Sequence, residues 1–112
     1  MGIEHEYDTL RAANIARAEE WQKGAPIDLS FRGNELAGEV GEACNVIKKL
    51  ERERMGIRGS RDTLEHLAEE LADVVICVDL IAMQAGINLE LAVRHKFNAT
   101  SQKIGLRTRI KL

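Results

Sequence analysis

Residues 62–86 read DTLEHLAEELADVVICVDLIAMQAG, and this stretch sets the fold class. Its apolar residues recur at helical spacing and cover more than half of the helix circumference. They are Leu64, Leu67, Ala68, Leu71, Val74, Val75, Val78, Leu80, Ile81 and Ala82. A helix that is apolar on so many sides belongs at the centre of a helical protein. The stretch therefore predicts a central helix with Asp62 as its acidic N-cap and Gly86 as its stop.

Three further helices are predicted on either side of this stretch. Apolar residues spaced by three, four and seven predict a helix over about residues 29–54. Before it, KGAP at residues 23–26 ends a helix over residues 3–23. After it, Asn88 caps a helix that ends near Lys103, and residues 106–112 form a basic tail of uncertain order. The simplest architecture is an all-α four-helix bundle forming a single domain over residues 1–112.

The composition agrees with helices and argues against some functions. Hydrophobic residues make up 45% and aromatic residues only 4%, so Leu, Ile, Val and Ala must build the core. A net charge of −2 gives no general attraction to nucleic acid, and the mixed charges of residues 48–54 are typical of a solvated helix end. The broad apolar surface of the central helix, in so small a chain, predicts a homodimer or homotetramer.

Cysteine usage and the absence of targeting patterns predict a cytoplasmic protein. Cys44 and Cys77 each lie in an apolar helical stretch, so we expect buried free thiols rather than a disulfide. There is no basic start followed by an apolar segment, and no apolar run approaches the ~20 residues that span a bilayer. The expectation is no membrane association and a cytoplasmic location, or the host cytoplasm if the chain is virus-encoded.

Acidic residues cluster on two of the predicted helices. Glu35, Glu39 and Glu42 are spaced by four and three, which places them within an arc of roughly 60° on one side of a helix. Glu70 and Asp73, three residues apart, also lie roughly 60° from each other on the central helix. Two helices therefore each present a group of carboxylates.

These acidic faces contain no basic residue that would compensate them. Residues 33–47 and 62–84 include neither Lys nor Arg, although like charges at this spacing destabilise a helix by a few tenths of a kcal/mol per pair. Gly38 and Gly41 each lower the stability of the helix by roughly 1 kcal/mol relative to Ala. Their presence indicates that another group approaches the helix backbone closely at these positions, and packing of a neighbouring helix would be enough to explain it. Two interpretations stay open: solvated acidic faces, or carboxylates gathered around a hard cation such as Mg²⁺.

The two motifs together resemble a known family. NELAGEVGEA at residues 34–43 and AEELADVV at residues 68–75 pair E-x-x-E with E-x-x-D about thirty residues apart. This pair is similar to the MazG-like all-α nucleoside triphosphate pyrophosphohydrolases, and the likeness runs from about Trp21 to Asn98. It implies that Mg²⁺, or Mn²⁺ in its place, promotes attack of water on the α-phosphorus. Where some members carry a further Glu before the first ligand, this chain has Gly38.

The resemblance also implies the residues of the site. The implied metal ligands, which are also the catalytic residues, are Glu39, Glu42, Glu70 and Asp73. Glu35 is either a catalytic residue that orients water or supports a ligand, or a surface acid. The substrate-binding candidates are Trp21, Lys49, Lys96 and Asn98. Trp21 is expected to stack on a base or to be a buried structural residue. Lys96 is expected to contact phosphate or to be a solvated lysine, and Lys49 is a second, weaker phosphate candidate.

The predicted function is the Mg²⁺-dependent conversion of a (d)NTP, dGTP or another purine nucleotide being preferred, to (d)NMP and pyrophosphate. Viral relatives that act on dGTP suggest this preference, while other relatives clear dCTP, dUTP or damaged nucleotides. The alternatives are a non-catalytic helical interaction or regulatory module and a nucleotide-binding sensor. No histidine has Glu three residues before it, which argues against a di-iron bundle, and no Walker loop is present.

Overall fold

A short polar side chain starts each helix in residues 3–112, the part of the chain that the computed structural model describes. Each of these side chains accepts a hydrogen bond of 2.8–3.1 Å from the N–H three residues on. These N-caps are Thr9, Asp28, Thr63 and Asn88. They satisfy N–H groups that have no partner within the helix. The helices are α1 (Leu10–Gln22), α2 (Leu29–Arg54), α3 (Leu64–Gln84) and α4 (Leu89–Lys103).

The predicted all-α fold with four helices is confirmed, but two of the predicted helix starts are wrong. α1 begins at Leu10 rather than at residue 3. The exposure of Ile3 and Tyr7 explains the difference, because no packing supports further helical turns there. The N-cap of α3 is Thr63 rather than Asp62, whose carboxylate accepts the N–H of Thr63 at 2.8 Å.

The predicted stop of the central helix at Gly86 is confirmed. Gly86 has a φ of +70°, a left-handed conformation that glycine adopts without steric cost. The N–H of Ile87 then reaches the carbonyl of Ala82 at 2.8 Å, which satisfies a carbonyl at the helix end. α4 leaves α3 at an angle of 105°. Between residues 3 and 112 no single helix is long and apolar enough to cross a membrane, although α3 and α4 taken together pass that test by length and composition.

α3 is the helix against which the others pack. α2 lies along α3 and α1 packs on α3, whereas α4 makes no interface of comparable size within residues 3–112. The buried apolar residues of this part of the chain are Ala43, Val46, Cys77 and Ala82. Cys77 is buried as predicted; Cys44 is exposed, because it lies two residues from Val46 and so on the opposite side of α2.

The shape is more extended than a compact chain of this length. The radius of gyration is 17.9 Å, against roughly 13 Å for a compact domain of 112 residues. α4, which leaves α3 at 105° and makes no interface of comparable size in the described part of the chain, extends away from the packed helices. The tail folds back on α4, where the side-chain amide of Asn98 donates to the carbonyl of Ile110 and accepts the N–H of Ile110.

A buried polar contact joins α1 to α3. Asp79 is buried and accepts hydrogen bonds from Asn14 at 2.9 Å and from Arg11 at 3.2 Å. Arg11 also donates to the carbonyl of Ile87 at 2.9 Å, which ties the loop after α3 to α1. Because each buried carboxylate oxygen has a donor, this contact fixes the position of α1 on α3.

Candidate metal centre

The carboxylates of the two acidic motifs meet where α2 packs along α3. One oxygen from each of Glu39, Glu70 and Asp73 lies within 4.8 Å of the other two. The spacing of three between Glu70 and Asp73 places both on the side of α3 that faces α2. Glu42, the fourth predicted ligand, is exposed and lies beside Glu39, outside this set. The structure thus brings together three of the four predicted ligands.

Two carboxylate oxygens of this cluster are buried without any hydrogen-bond donor among the described residues, which separates the cluster from an ordinary solvated acidic surface. Oε2 of Glu39 and Oε2 of Glu70 are both buried and accept no hydrogen bond. Burial raises the pKa of Glu39, and the charges of Glu42 and Asp73 raise it further. Leaving a buried acceptor without a partner costs roughly 1–3 kcal/mol, and a hard divalent cation takes carboxylate oxygens as ligands. The residues present therefore fit such a cation.

Glu35 lies one turn before Glu39 and is also partly buried. Its Oε1 accepts no hydrogen bond; Nη1 of Arg32 stands 3.6 Å away, within reach of an ion pair but not of a hydrogen bond. The Cys77 thiol lies beside it, and burial together with the charges of Glu35 and Glu39 raises the pKa of Cys77 to about 11. Cys77 is therefore a neutral thiol next to the carboxylates, and Glu35 is not a freely solvated acid.

A histidine connects the cluster to the start of α3. Nδ1 of His66 lies 2.8 Å from Asp62, and Nε2 lies 2.9 Å from Oε1 of Glu70. The bond to Asp62 is the main cause that raises the pKa of His66, whereas the N–H of Thr63 is the main cause that lowers the pKa of Asp62. Sequence reasoning missed this connection, although the spacing of four from Asp62 to His66 and from His66 to Glu70 was available as a signal.

The phosphate candidate Lys49 lies at the same end of the interface. Its Nζ is 3.9 Å from Oδ2 of Asp62, and its side chain is part-buried between α2 and the loop before α3. At this distance Lys49 and Asp62 form an ion pair rather than a hydrogen bond. Lys49 therefore places a positive charge beside Asp62, which His66 links to Glu70 of the cluster.

A cavity of about 370 Å³ opens between the end of α1 and the start of α2. Trp21 and Phe31 line it, and Glu35 lies in its wall, one turn of α2 from Glu39. Trp21 is 79% exposed, so the prediction of a buried structural tryptophan is wrong and its ring is available to a ligand. The size falls in the usual range for small-molecule sites, roughly 300–1,000 Å³.

A buried arginine that sequence reasoning missed holds the wall of this cavity. Arg32 is buried, and it donates to Oε1 of Gln22 at 2.8 Å and to Oε1 of Gln84 at 3.3 Å. Gln84 in turn donates to the carbonyl of Ile27 at 2.8 Å. Arg32 thus joins α1, α2 and α3, and its position early in a polar helical turn gave no sign of burial.

The remaining site candidates lie elsewhere. Lys96 is exposed on α4, and the amide of Asn98 is engaged by the tail. Neither lines the cavity or belongs to the carboxylate cluster. Gly38 and Gly41 are open: within residues 3–112, no atom of another element lies within 4 Å of the position a Cβ would take. The close approach predicted at these two glycines is therefore wrong for the described residues, where both positions face open space.

Fold and site together define an all-α protein with a carboxylate centre between two packed helices, suited to a divalent cation. Residues 32–109 match the family model of the MazG nucleotide pyrophosphohydrolase domain, and the chain belongs to this family. The match covers α2 from Arg32 onward and all of α3 and α4. No curated protein and no solved structure matched the chain. Membership of the family indicates a nucleotide pyrophosphohydrolase activity, and the family is typically dependent on a divalent metal.

Proposed function

We propose that this chain is a Mg²⁺-dependent nucleoside triphosphate pyrophosphohydrolase that converts a (d)NTP to (d)NMP and pyrophosphate. The observation that carries the proposal is the carboxylate cluster, in which oxygens of Glu39, Glu70 and Asp73 lie within 4.8 Å of one another. Two buried oxygens of this cluster have no hydrogen-bond donor. In a chain of the MazG family, a nucleotide bound to a divalent cation is the ligand that such a cluster suits.

The cation would be held by Glu39, Glu70 and Asp73, with Glu42 as the fourth ligand from the exposed side. Bound Mg²⁺ would supply the positive charge that polarises a phosphoryl group and organises water for its attack. Mn²⁺ prefers similar oxygen ligands and is expected to replace it. Glu35, whose Oε1 is buried without a donor, is placed to accept a hydrogen bond from a water near the cluster.

The nucleoside would occupy the cavity between α1 and α2. Trp21 and Phe31 provide aromatic faces for a base, and Glu35 marks the end of the cavity next to the metal centre. A base at Trp21 therefore directs the phosphate chain toward the carboxylates. Lys49, which lies near Asp62 at the same end of the α2–α3 interface, is the proposed phosphate contact within the chain.

The preference for dGTP or another purine nucleotide is supported by one side chain in the cavity wall. Arg32 donates to Oε1 of Gln22, so Nε2 of Gln22 remains available as a donor. Guanine presents two acceptors on one edge, O6 and N7, to which a side-chain amide can donate. Replacing Gln22 with Glu would place a negative charge against those acceptors and is expected to lower the selectivity for dGTP.

We further propose that the active protein is a homodimer or homotetramer. Leu64, Leu71 and Val75 share one side of α3 and are 70%, 48% and 55% exposed. Within residues 3–112 the buried apolar core holds only four residues, which is small for a stable domain of this length. A second copy would cover the exposed side of α3, and its α4 would bring Lys96 and Asn98 to the substrate.

Light scattering coupled to gel filtration tests the oligomeric state. Leu71→Glu is expected to reduce the measured mass, and Ile57→Glu, in a loop, is the control.

The reaction is tested by product analysis across all canonical NTPs and dNTPs, with Mg²⁺, with Mn²⁺ and with chelator. Metal-dependent release of monophosphate and pyrophosphate is expected, with dGTP among the best substrates. Release of orthophosphate and diphosphate would contradict the reaction assigned. Nucleotide binding without product formation would favour a nucleotide sensor. No product from any nucleotide, together with no thermal shift on adding Mg²⁺ and nucleotide, would favour a helical interaction or regulatory module. The single-domain organisation, the lack of nucleic-acid or membrane partners and the cytoplasmic location stay predictions.

A further inference from the structure

The segment that leads into α3 makes hydrogen bonds within itself and an ion pair to α2. Asp62 lies just before the helix, and its carboxylate accepts the N–H of Thr63 at 2.8 Å. From α2, Lys49 approaches the other oxygen of Asp62 at 3.9 Å. Thr63 accepts the N–H of His66 at 3.1 Å, which closes the first turn. These contacts define the position of the Asp62 carboxylate at the start of α3.

His66 bridges this segment and the carboxylate cluster. Its ring lies between Asp62 at 2.8 Å and Glu70 at 2.9 Å. Both ring nitrogens are used by these contacts, so His66 has no free nitrogen with which to bind a metal itself. The ring is also 44% exposed on its side-chain surface, so it contributes little to the packing of the core. Its contacts instead point to a role in orienting Glu70.

The two oxygens of Glu70 have different environments. Oε1 accepts the hydrogen bond from Nε2 of His66. Oε2 is buried and accepts none. A carboxylate held by one oxygen cannot rotate freely about its last torsion, so the other oxygen keeps a fixed direction. In this chain the free oxygen belongs to the residue that converges with Glu39 and Asp73.

We propose that His66 is a positioning residue that holds Glu70 through Oε1 and thereby keeps Oε2 directed at the metal centre. The inference rests on the proposed metal centre. Hydrogen-bond partners that orient metal ligands contribute roughly 10- to 100-fold in metal affinity or activity. His66 touches neither substrate nor metal, so its loss is expected to raise the metal concentration required and to leave the chemistry at saturating metal largely intact.

The test is Mn²⁺ binding by calorimetry, without nucleotide, to the full chain and its variants. His66→Ala is expected to weaken Mn²⁺ binding roughly 10- to 100-fold. His66→Gln places an amide donor near the position of Nε2 and is expected to recover much of the affinity. His66→Asn, whose amide reaches only the position of Nδ1, is expected not to recover it. His95→Ala, on α4, is the matched control and should bind as the unchanged chain does.

A second readout separates positioning from a structural role. In the His66→Ala variant, turnover should rise to near the value of the unchanged chain as Mn²⁺ is increased, and circular dichroism should show unchanged helicity. If the unchanged chain fails to bind Mn²⁺, the metal centre itself is wrong. If it binds Mn²⁺ and His66→Ala binds equally well, or if His66→Gln loses as much affinity as His66→Asn, the positioning role is wrong and the metal centre stands.

Discussion

α3 takes part in two carboxylate sites, one shared with α1 and one with α2, which differ in how their buried oxygens are satisfied. At Asp79, toward the end of the helix, Arg11 and Asn14 donate hydrogen bonds to both oxygens. At the cluster of Glu39 with Glu70, earlier in the helix, buried oxygens have no donor within residues 3–112. The same chemical group thus forms a structural contact in one place and, in the other, presents buried oxygens that fit the proposed cation.

The difference has an energetic meaning. A buried carboxylate with a complete set of donors holds its neighbours in place, whereas its removal leaves a partner charge unpaired. A buried carboxylate oxygen without donors, surrounded by other acids, destabilises the folded chain, and the proposed cation would offset this cost. The cluster on α2 and α3 is therefore maintained at the expense of stability, which is typical of a functional site.

The largest effect is expected from removing the charge of one clustered acid. Glu39→Gln or Asp73→Asn should lower turnover by about 10³-fold, or about 4 kcal/mol in activation free energy, because the cation loses a ligand. Pyrophosphate release at fixed Mg²⁺ measures this. The control is Glu69→Gln, an exposed acid next to the cluster, which should change turnover little. A folded Glu39→Gln variant with full turnover would refute the assigned site.

The second-largest effect is expected on stability, from removing the buried carboxylate of Asp79, whose oxygens both accept hydrogen bonds. Asp79→Ala should lower the free energy of unfolding by about 3 kcal/mol, because it leaves Arg11 and Asn14 without their shared acceptor. Urea unfolding measures the change, with Glu20→Ala on the exposed side of α1 as the control. Turnover per folded molecule should change little. Loss of turnover without loss of stability would show that Asp79 belongs to the site and that the contrast between the two groups is wrong.

A smaller effect is expected from the metal itself. At ten times its dissociation constant, Mg²⁺ should raise the free energy of unfolding by about 1.4 kcal/mol, because it binds the folded chain alone. Thermal unfolding with Mg²⁺ and with chelator measures this shift. The shift should persist in Asp79→Ala and disappear in Glu39→Gln. An equal shift in both variants would mean that Mg²⁺ binds elsewhere.

The smallest effect is on the pH dependence of stability in the metal-free protein. The pKa of Glu39 is raised above its ordinary value of 4.5, mainly by burial, so the folded state binds the proton more tightly than the unfolded state. The stability due to this difference is present below pH 4.5 and is lost as the pH rises through the raised pKa. Relative to Glu39→Gln, the unfolding free energy of the unchanged chain should therefore fall above pH 4.5. Parallel curves for the two proteins would contradict the raised pKa.

Local chemistry explains why most of the helices could be predicted. The bounds of α2, the cap of α4 at Asn88 and the stop of α3 at Gly86 depend on residues a few positions apart, and all agree with the structure. The start of α1 does not, because the helical tendency of residues 3–9 has no packing to support it. Helix ends that carry a capping residue or a glycine stop are therefore local properties, whereas the start of α1 depends on what the rest of the chain covers.

The sequence by itself determined the all-α fold, the pairing of E-x-x-E with E-x-x-D and the family, because spacing along a helix fixes which side chains share a side. Only the tertiary structure decided which acids meet. It brought Glu39 to Glu70 and Asp73 and left Glu42 exposed, because the angle at which α2 packs on α3 selects one arc of each helix. It also revealed the partners of Arg32, whose hydrogen bonds to Gln22 and Gln84 join segments that no local pattern connects.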